Sequence, residues 1–87
     1  MEKIILDGAK MTDRAAAHEY MAEMMAFPEW YGNNLDALWD MLSEGAEREI
    51  EFVNSAAMLN SLAAYGCRLL QCFFDAAAED RIKFNLA

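Results

Sequence analysis

Asp36 and Asp40 are the residues of this chain with the clearest capacity for chemistry. Four residues apart on a helix, two carboxylates stand one turn from each other and within reach of a common ligand. Such a pair can act as a general acid and base, hold a hard cation, or meet the cations of a partner. It also repels itself by about 0.2–0.5 kcal/mol, so helix packing alone gives no reason to put the two together. Acid–base or metal chemistry further needs surroundings that exclude water and shift a pKa. An exposed helix in a chain of 87 residues supplies little of either.

The neighbours of the pair point to recognition instead. Trp30 and Tyr31 stand directly before Gly32. Successive residues in a turn point in different directions, so a core uses one of these rings and leaves the other exposed. Trp39 lies at the edge of the stripe Leu35, Leu38, Leu42 and is expected to be half core and half surface. From Ala15 to Glu47 there is no Lys or Arg, while Glu19, Glu23, Glu29, Asp36, Asp40, Glu44 and Glu47 are acidic. Within a formal net charge of −8, this stretch repels phosphate backbones and anionic lipid and attracts a basic partner. Aromatic rings beside carboxylates have the composition of an interface hot spot.

Other chemistries lack their residues. His18 is the single histidine, on an alanine-rich helix, and is expected at the surface or half-buried with no chemical role. With no second histidine and no thiol cluster, a zinc ligand set is missing. Cys67 and Cys72 fit neither a CxxC motif nor a disulfide spacing and read as two small buried apolar residues. Gly8, Gly32, Gly45 and Gly66 are isolated, so no phosphate-cradling loop is formed. No cofactor is implied. The opening MEKIILDG holds too short an apolar stretch for a secretory leader, and no segment approaches the ~20 apolar residues of a membrane span, so a cytoplasmic setting is expected.

The elements that must position these residues follow from periodicity. Lys3 to Asp7 reads as a strand ending at Asp7-Gly8. Thr12 or Asp13 caps a helix through RAAAHEYMAEMMA, with Ala16, Tyr20 or Met21, and Met24 at core spacing. Pro28 and Gly32 mark a turn, and Asn33 or Asn34 caps a helix bearing Leu35, Leu38 and Leu42 inward and Asp36 and Asp40 outward, which ends near Ser43 or Glu44 with Gly45 as breaker. Glu49 to Val53 alternates as a strand with Ile50 and Phe52 on one face. Asn54-Ser55 starts a helix over residues 56–64, Tyr65-Gly66 interrupts it, and a helix over 67–78 carries Leu69 or Leu70, Phe73 and Ala77 inward. Arg81 to Leu86 is the last strand.

Strand, two helices, strand, two helices, strand is an α/β order in which each long connection is a helical crossover. It implies a small three-stranded parallel sheet with helices mainly on one side, in one domain spanning residues 1–87. Hydrophobic residues make up 56% of the chain, enough for a core and against disorder.

The stretch Pro28-Glu29-Trp30-Tyr31-Gly32-Asn33-Asn34-Leu35-Asp36-Ala37-Leu38-Trp39-Asp40 resembles the signature of the barstar family, intracellular inhibitors of barnase-type ribonucleases. The family's segment runs Pro-Glu-Tyr-Tyr-Gly-x-Asn-Leu-Asp-Ala-Leu-Trp-Asp, so Trp30 replaces its first tyrosine. Fainter similarity keeps register at Lys3-Ile4-Ile5 and at Leu70-Gln71-Cys72-Phe73-Phe74-Asp75-Ala76. The resemblance implies an inhibitor and not an enzyme, bound 1:1 to a basic, secreted-type ribonuclease, with no direct nucleic-acid or membrane contact. By it Asp40 takes the place of an RNA phosphate, Asp36 pairs with a second basic residue, and Trp30 lies against the catalytic histidine. Gly32 permits close approach, Asn34 and Leu35 add contacts, Trp39 and Ser43 border the interface, and Asp75 stands where the family has a glutamate. Trp30, Asp75 and Gly45, the last near an aromatic of barstar itself, are departures that bear on partner choice. The alternative reading is a barstar-like immunity module for a different basic partner.

Overall fold

The computed structural model describes residues 3–44 and 48–87, and the expected breaker Gly45 lies outside them. Three strands, β1 (Lys3–Asp7), β2 (Arg48–Val53) and β3 (Ile82–Leu86), pair in parallel in the order β1-β2-β3. Ile4 aligns with Ile50 and Phe52 with Leu6, so the apolar residues of β1 and β2 share one face. That face is buried through Ile4, Leu6, Ile50, Phe52 and Ile82. The other face is exposed to half-buried, which is unusual for parallel strands. Its polar composition accounts for this: Lys3 pairs with Glu51 at 3.2 Å, and Glu49 lies in register between Lys3 and Lys83.

Four helices connect the strands: α1 (Arg14–Met25), α2 (Leu35–Ser43), α3 (Ser55–Leu62) and α4 (Ala64–Ala78), with a 3-10 turn over Gly8–Lys10. Asp13 is the cap of α1, its carboxylate accepting from the Ala16 N–H at 2.8 Å. The inward face of α1 is Ala17, His18, Met21 and Met25, while Ala16 is half-buried and Met24 exposed. The stripe is thus rotated by one residue from its expected phase. Alanine and methionine dominate every face of this helix, so little polar contrast fixes its orientation.

Two features of the last third correct the sequence reading. The break between α3 and α4 falls at Ala63, in a positive-φ conformation outside the left-handed helical region (φ 53°, ψ −128°), and Tyr65 and Gly66 lie inside the first turns of α4. Gly66 is there for space: a Cβ on it would come within 2.7 Å of Met58 Sδ, where α4 crosses α3. Cys67 is exposed and Cys72 only half-buried, so neither is the fully buried residue expected. On α4 the buried set is Leu69, Leu70, Phe73 and Ala76, with Ala77 half-buried.

Candidate functional site: an acidic helix, an exposed indole and a groove

The turn from α1 into α2 is anchored at both ends. Ala26 closes α1 in the left-handed region, and the Phe27 N–H donates to the Ala22 carbonyl at 2.9 Å. The two asparagines at the far end divide the work. Asn33 takes the left-handed conformation (φ 53°) that asparagine tolerates well, and Asn34 caps α2, its side-chain oxygen accepting from the Ala37 N–H at 2.7 Å. Between the anchors Tyr31 is buried at 7% exposure and Trp30 projects at 75%. One ring of the pair enters the core and the other faces solvent, as the sequence implies.

Gly32 is exposed, and a Cβ on it would meet only Ala37 Cβ and Asn34 Nδ2, both at 3.4 Å. No contact among the described residues therefore requires glycine at this position.

On α2, Leu38 and Leu42 are buried, Leu35 and Trp39 are half-buried, and Asp36 and Asp40 are exposed. Among the described residues neither carboxylate has an ion-pair partner. The C-terminal end of α2 is held by two arginines from elsewhere in the chain. Arg48 donates to the Met41 carbonyl at 3.0 Å and Arg81 to the Ser43 carbonyl at 3.2 Å, which satisfies carbonyls that the helix leaves open. Ser43 itself turns inward: its hydroxyl is buried and has no hydrogen-bond partner among the described residues.

A groove runs between α2 and α4, with Leu35, Asp36 and Trp39 on one wall and Cys72, Asp75 and Glu79 on the other. The fold thus joins four of the residues singled out in the sequence, Leu35, Asp36, Trp39 and Asp75. Trp30, Gly32 and Asp40 stand outside the groove, on the turn and on the open face of α2. The Cys72 thiol points at the Leu35 carbonyl at 4.0 Å, and its pKa is raised by burial first and then by Asp75 and Asp36, which keeps it protonated and unreactive.

A second hollow adjoins the first across Leu35 and Asp36, lined also by Arg14, Asn33, Asn34 and Tyr65. The Arg14 guanidinium lies over the Tyr65 ring at 4.3 Å, and that of Arg81 lies 6.0 Å from the Trp39 ring. The acidic surface is therefore flanked by a cation at each end, although the sequence around it has none. Sequence reasoning missed Arg14, Tyr65, Cys72, Glu79 and Arg81. Cys72, three residues before Asp75 on α4, and Glu79, the residue that caps the end of that helix, had a local signal; Arg14, Tyr65 and Arg81 are brought in only by long-range packing.

Behind the turn lies His18. It is fully buried, not at the surface, and its Nδ1 and Nε2 each stand 2.7 Å from a tyrosine hydroxyl, of Tyr31 and Tyr65 respectively. Burial lowers its pKa, so the ring is held neutral.

Among the described residues no three His, Cys, Asp or Glu side chains gather as a metal cluster, and no helix is long and apolar enough to cross a membrane. An exposed indole, an acidic helix face and a groove with further carboxylates thus lie on one part of the surface. Comparison with known proteins identifies the family. The family described as Barstar (barnase inhibitor) matches residues 1–87. The chain is 31% identical over 88 residues to a Bacillus subtilis protein named "Putative ribonuclease inhibitor YrdF", covering 99% of this chain and 97% of that one. The chain therefore belongs to the barstar family, a family of barnase inhibitors and not of enzymes.

Proposed function

We propose that this protein is an intracellular, stoichiometric inhibitor of a barnase-type ribonuclease and closes the active site of its target in a 1:1 complex. The observation that carries this reading is the pair Asp36 and Asp40, exposed one turn apart on a helix fastened at both ends and without an internal cation among the described residues. In a ribonuclease site built to hold phosphates, Asp40 occupies a phosphate position among basic groups and Asp36 pairs with a neighbouring cation. Because the helix is already ordered, little conformational entropy is lost on binding.

Trp30 lies against the target's catalytic histidine, and the absence of a side chain at Gly32 lets the target's backbone come close. Asn34, Leu35, Trp39 and Ser43 complete the contact from α2, and Asp75 reaches it from α4 across the groove. The net charge of −8 speeds encounter with a basic enzyme, and closely seated ion pairs then slow release. Inhibition is competitive with RNA, since both ligands claim the same cations. Titrating the purified chain into a barnase-type ribonuclease should abolish RNA cleavage at one equivalent, and Asp40→Ala should restore most of it. Cleavage that continues unchanged at micromolar inhibitor refutes the reading for that enzyme.

A further inference from the structure

Helix α4 and the turn before α2 are bridged by a side chain that belongs to neither. His18, on α1, spans Tyr31 in the turn and Tyr65 on α4, with both ring nitrogens at 2.7 Å from a hydroxyl. The surroundings fix the direction of the protons. Tyr31 is buried and its hydroxyl has no other hydrogen-bond partner among the described residues, so it donates to Nδ1. Nε2–H then donates to the Tyr65 hydroxyl, and Tyr65, half-exposed, can pass its own proton to water. This chain of donors works only with a neutral imidazole. A proton added at Nδ1 would convert that nitrogen to a donor and leave the Tyr31 O–H buried with no acceptor.

We propose that His18 is a positioning residue for the binding surface: as a neutral acceptor it fixes Tyr31, and through Tyr31 the adjacent Trp30 and Gly32, and protonation releases that turn while the sheet and helices stay folded. The charged and titratable groups around the imidazole are Arg14 on its own helix, Tyr31 in the turn, and Tyr65 and Cys72 on α4, with Asp36 of α2 lining the hollow that Arg14 and Tyr65 share. Burial opposes the charged form of the ring, so release falls below the ordinary imidazole range of roughly pH 6.5. The sign follows from linkage: the unfolded chain takes up this proton first, so stability present above about pH 6.5 declines as pH falls.

The positioning role is testable on the free protein. Nuclear magnetic resonance of the His18 ring protons and the two indole N–H groups, followed from about pH 8 to about pH 4, separates local release from unfolding. The Trp30 resonance should shift with the same midpoint as His18 while Trp39 does not. In Tyr31→Phe, His18 should still titrate and Trp30 should no longer follow it. In His18→Gln, Trp30 should hold one position throughout. A Trp30 resonance that ignores the His18 titration overturns the proposal, as does one that still shifts in His18→Gln, or a joint loss of both indole signals with helical circular dichroism.

The effect on partner binding rests on the function proposed above and is read separately. Dissociation from a barnase-type ribonuclease should become about tenfold faster across the His18 transition, the scale of one buried hydrogen bond, and should not do so in His18→Gln. An equal acceleration in both proteins overturns the coupling of turn to grip. Absence of a complex at every pH overturns the ribonuclease reading alone, and the resonance measurements then decide the positioning role.

Discussion

Replacing Asp40 by asparagine should stabilise the free protein and weaken its grip on a ribonuclease, two effects of opposite sign from one charge. Asp36 and Asp40 are exposed on a nine-residue helix, with Asp36 in its first turn. Their mutual repulsion costs about 0.2–0.5 kcal/mol. Asp36 recovers this from the helix dipole, which favours a negative charge near the N-terminus by about 0.3–1 kcal/mol. Asp40 does not, because it sits in the last turn, where the Glu44 N–H donates to its carbonyl at 3.0 Å and the dipole opposes a negative charge. Asp40→Asn therefore removes two unfavourable interactions and should gain about 0.5–1 kcal/mol. Asp36→Asn removes one and loses a favourable one, and should be neutral or mildly destabilising.

A domain of this size is stable by roughly 4–13 kcal/mol, and a urea slope of about 1 kcal/mol/M turns the Asp40→Asn gain into a midpoint about 0.5–1 M higher. At about 1 M salt, where the screening length falls to ~3 Å, the gain should shrink towards zero. In the complex the same substitution strands a buried cation of the target and should cost about 3–5 kcal/mol, a loss of two to three decades or more in affinity. A lower urea midpoint, identical effects at positions 36 and 40, or unaltered ribonuclease inhibition would each refute the reasoning.

Gly32→Ala should leave stability unchanged or raise it by about 0.4–1 kcal/mol, read from the urea midpoint, because a Cβ fits and the unfolded chain loses freedom, yet inhibition assays should show weaker binding if a partner's backbone comes close there. Gly8→Ala should destabilise by about 3 kcal/mol, since its Cβ would overlap the backbone carbonyl of Asn54 and Met58 Cβ; thermal unfolding should show a Tm lower by roughly 12–24 °C. Ala63→Gly should stabilise by about 1 kcal/mol by relieving a positive-φ backbone in which alanine is strained, read as a higher urea midpoint.

Local rules made much of this protein legible before folding. The β-branched and leucine run at Lys3–Asp7, the alternation from Glu49 to Val53, the caps at Asp13 and Asn34, and the leucine stripe of α2 are decided within a few residues, and each element formed where its pattern stands. The succession of three strands joined by helical crossovers then left a parallel sheet as the simplest arrangement. On the site, the spacing of Asp36 and Asp40 and the adjacency of Trp30 and Tyr31 were enough to expect an acidic face beside one exposed ring.

Long-range packing decided the rest, because it depends on distances that no window of sequence contains. The phase of α1 was settled by what it packs against and not by its own nearly uniform composition, and that rotation carried His18 into the interior, where hydroxyls from positions 31 and 65 were waiting to satisfy both nitrogens. The break at Ala63 has no turn residue to announce it; it exists because α4 must cross close to α3 at Gly66. Arg14 and Arg81, remote in sequence from the acidic stretch, became its flanks through the faces of Tyr65 and Trp39. The sequence by itself determined which side chains face outward on the binding helix, since helical geometry is local. Only the tertiary structure decided what holds that helix and its turn in place, since a buried polar group is stable only where the fold brings it a partner.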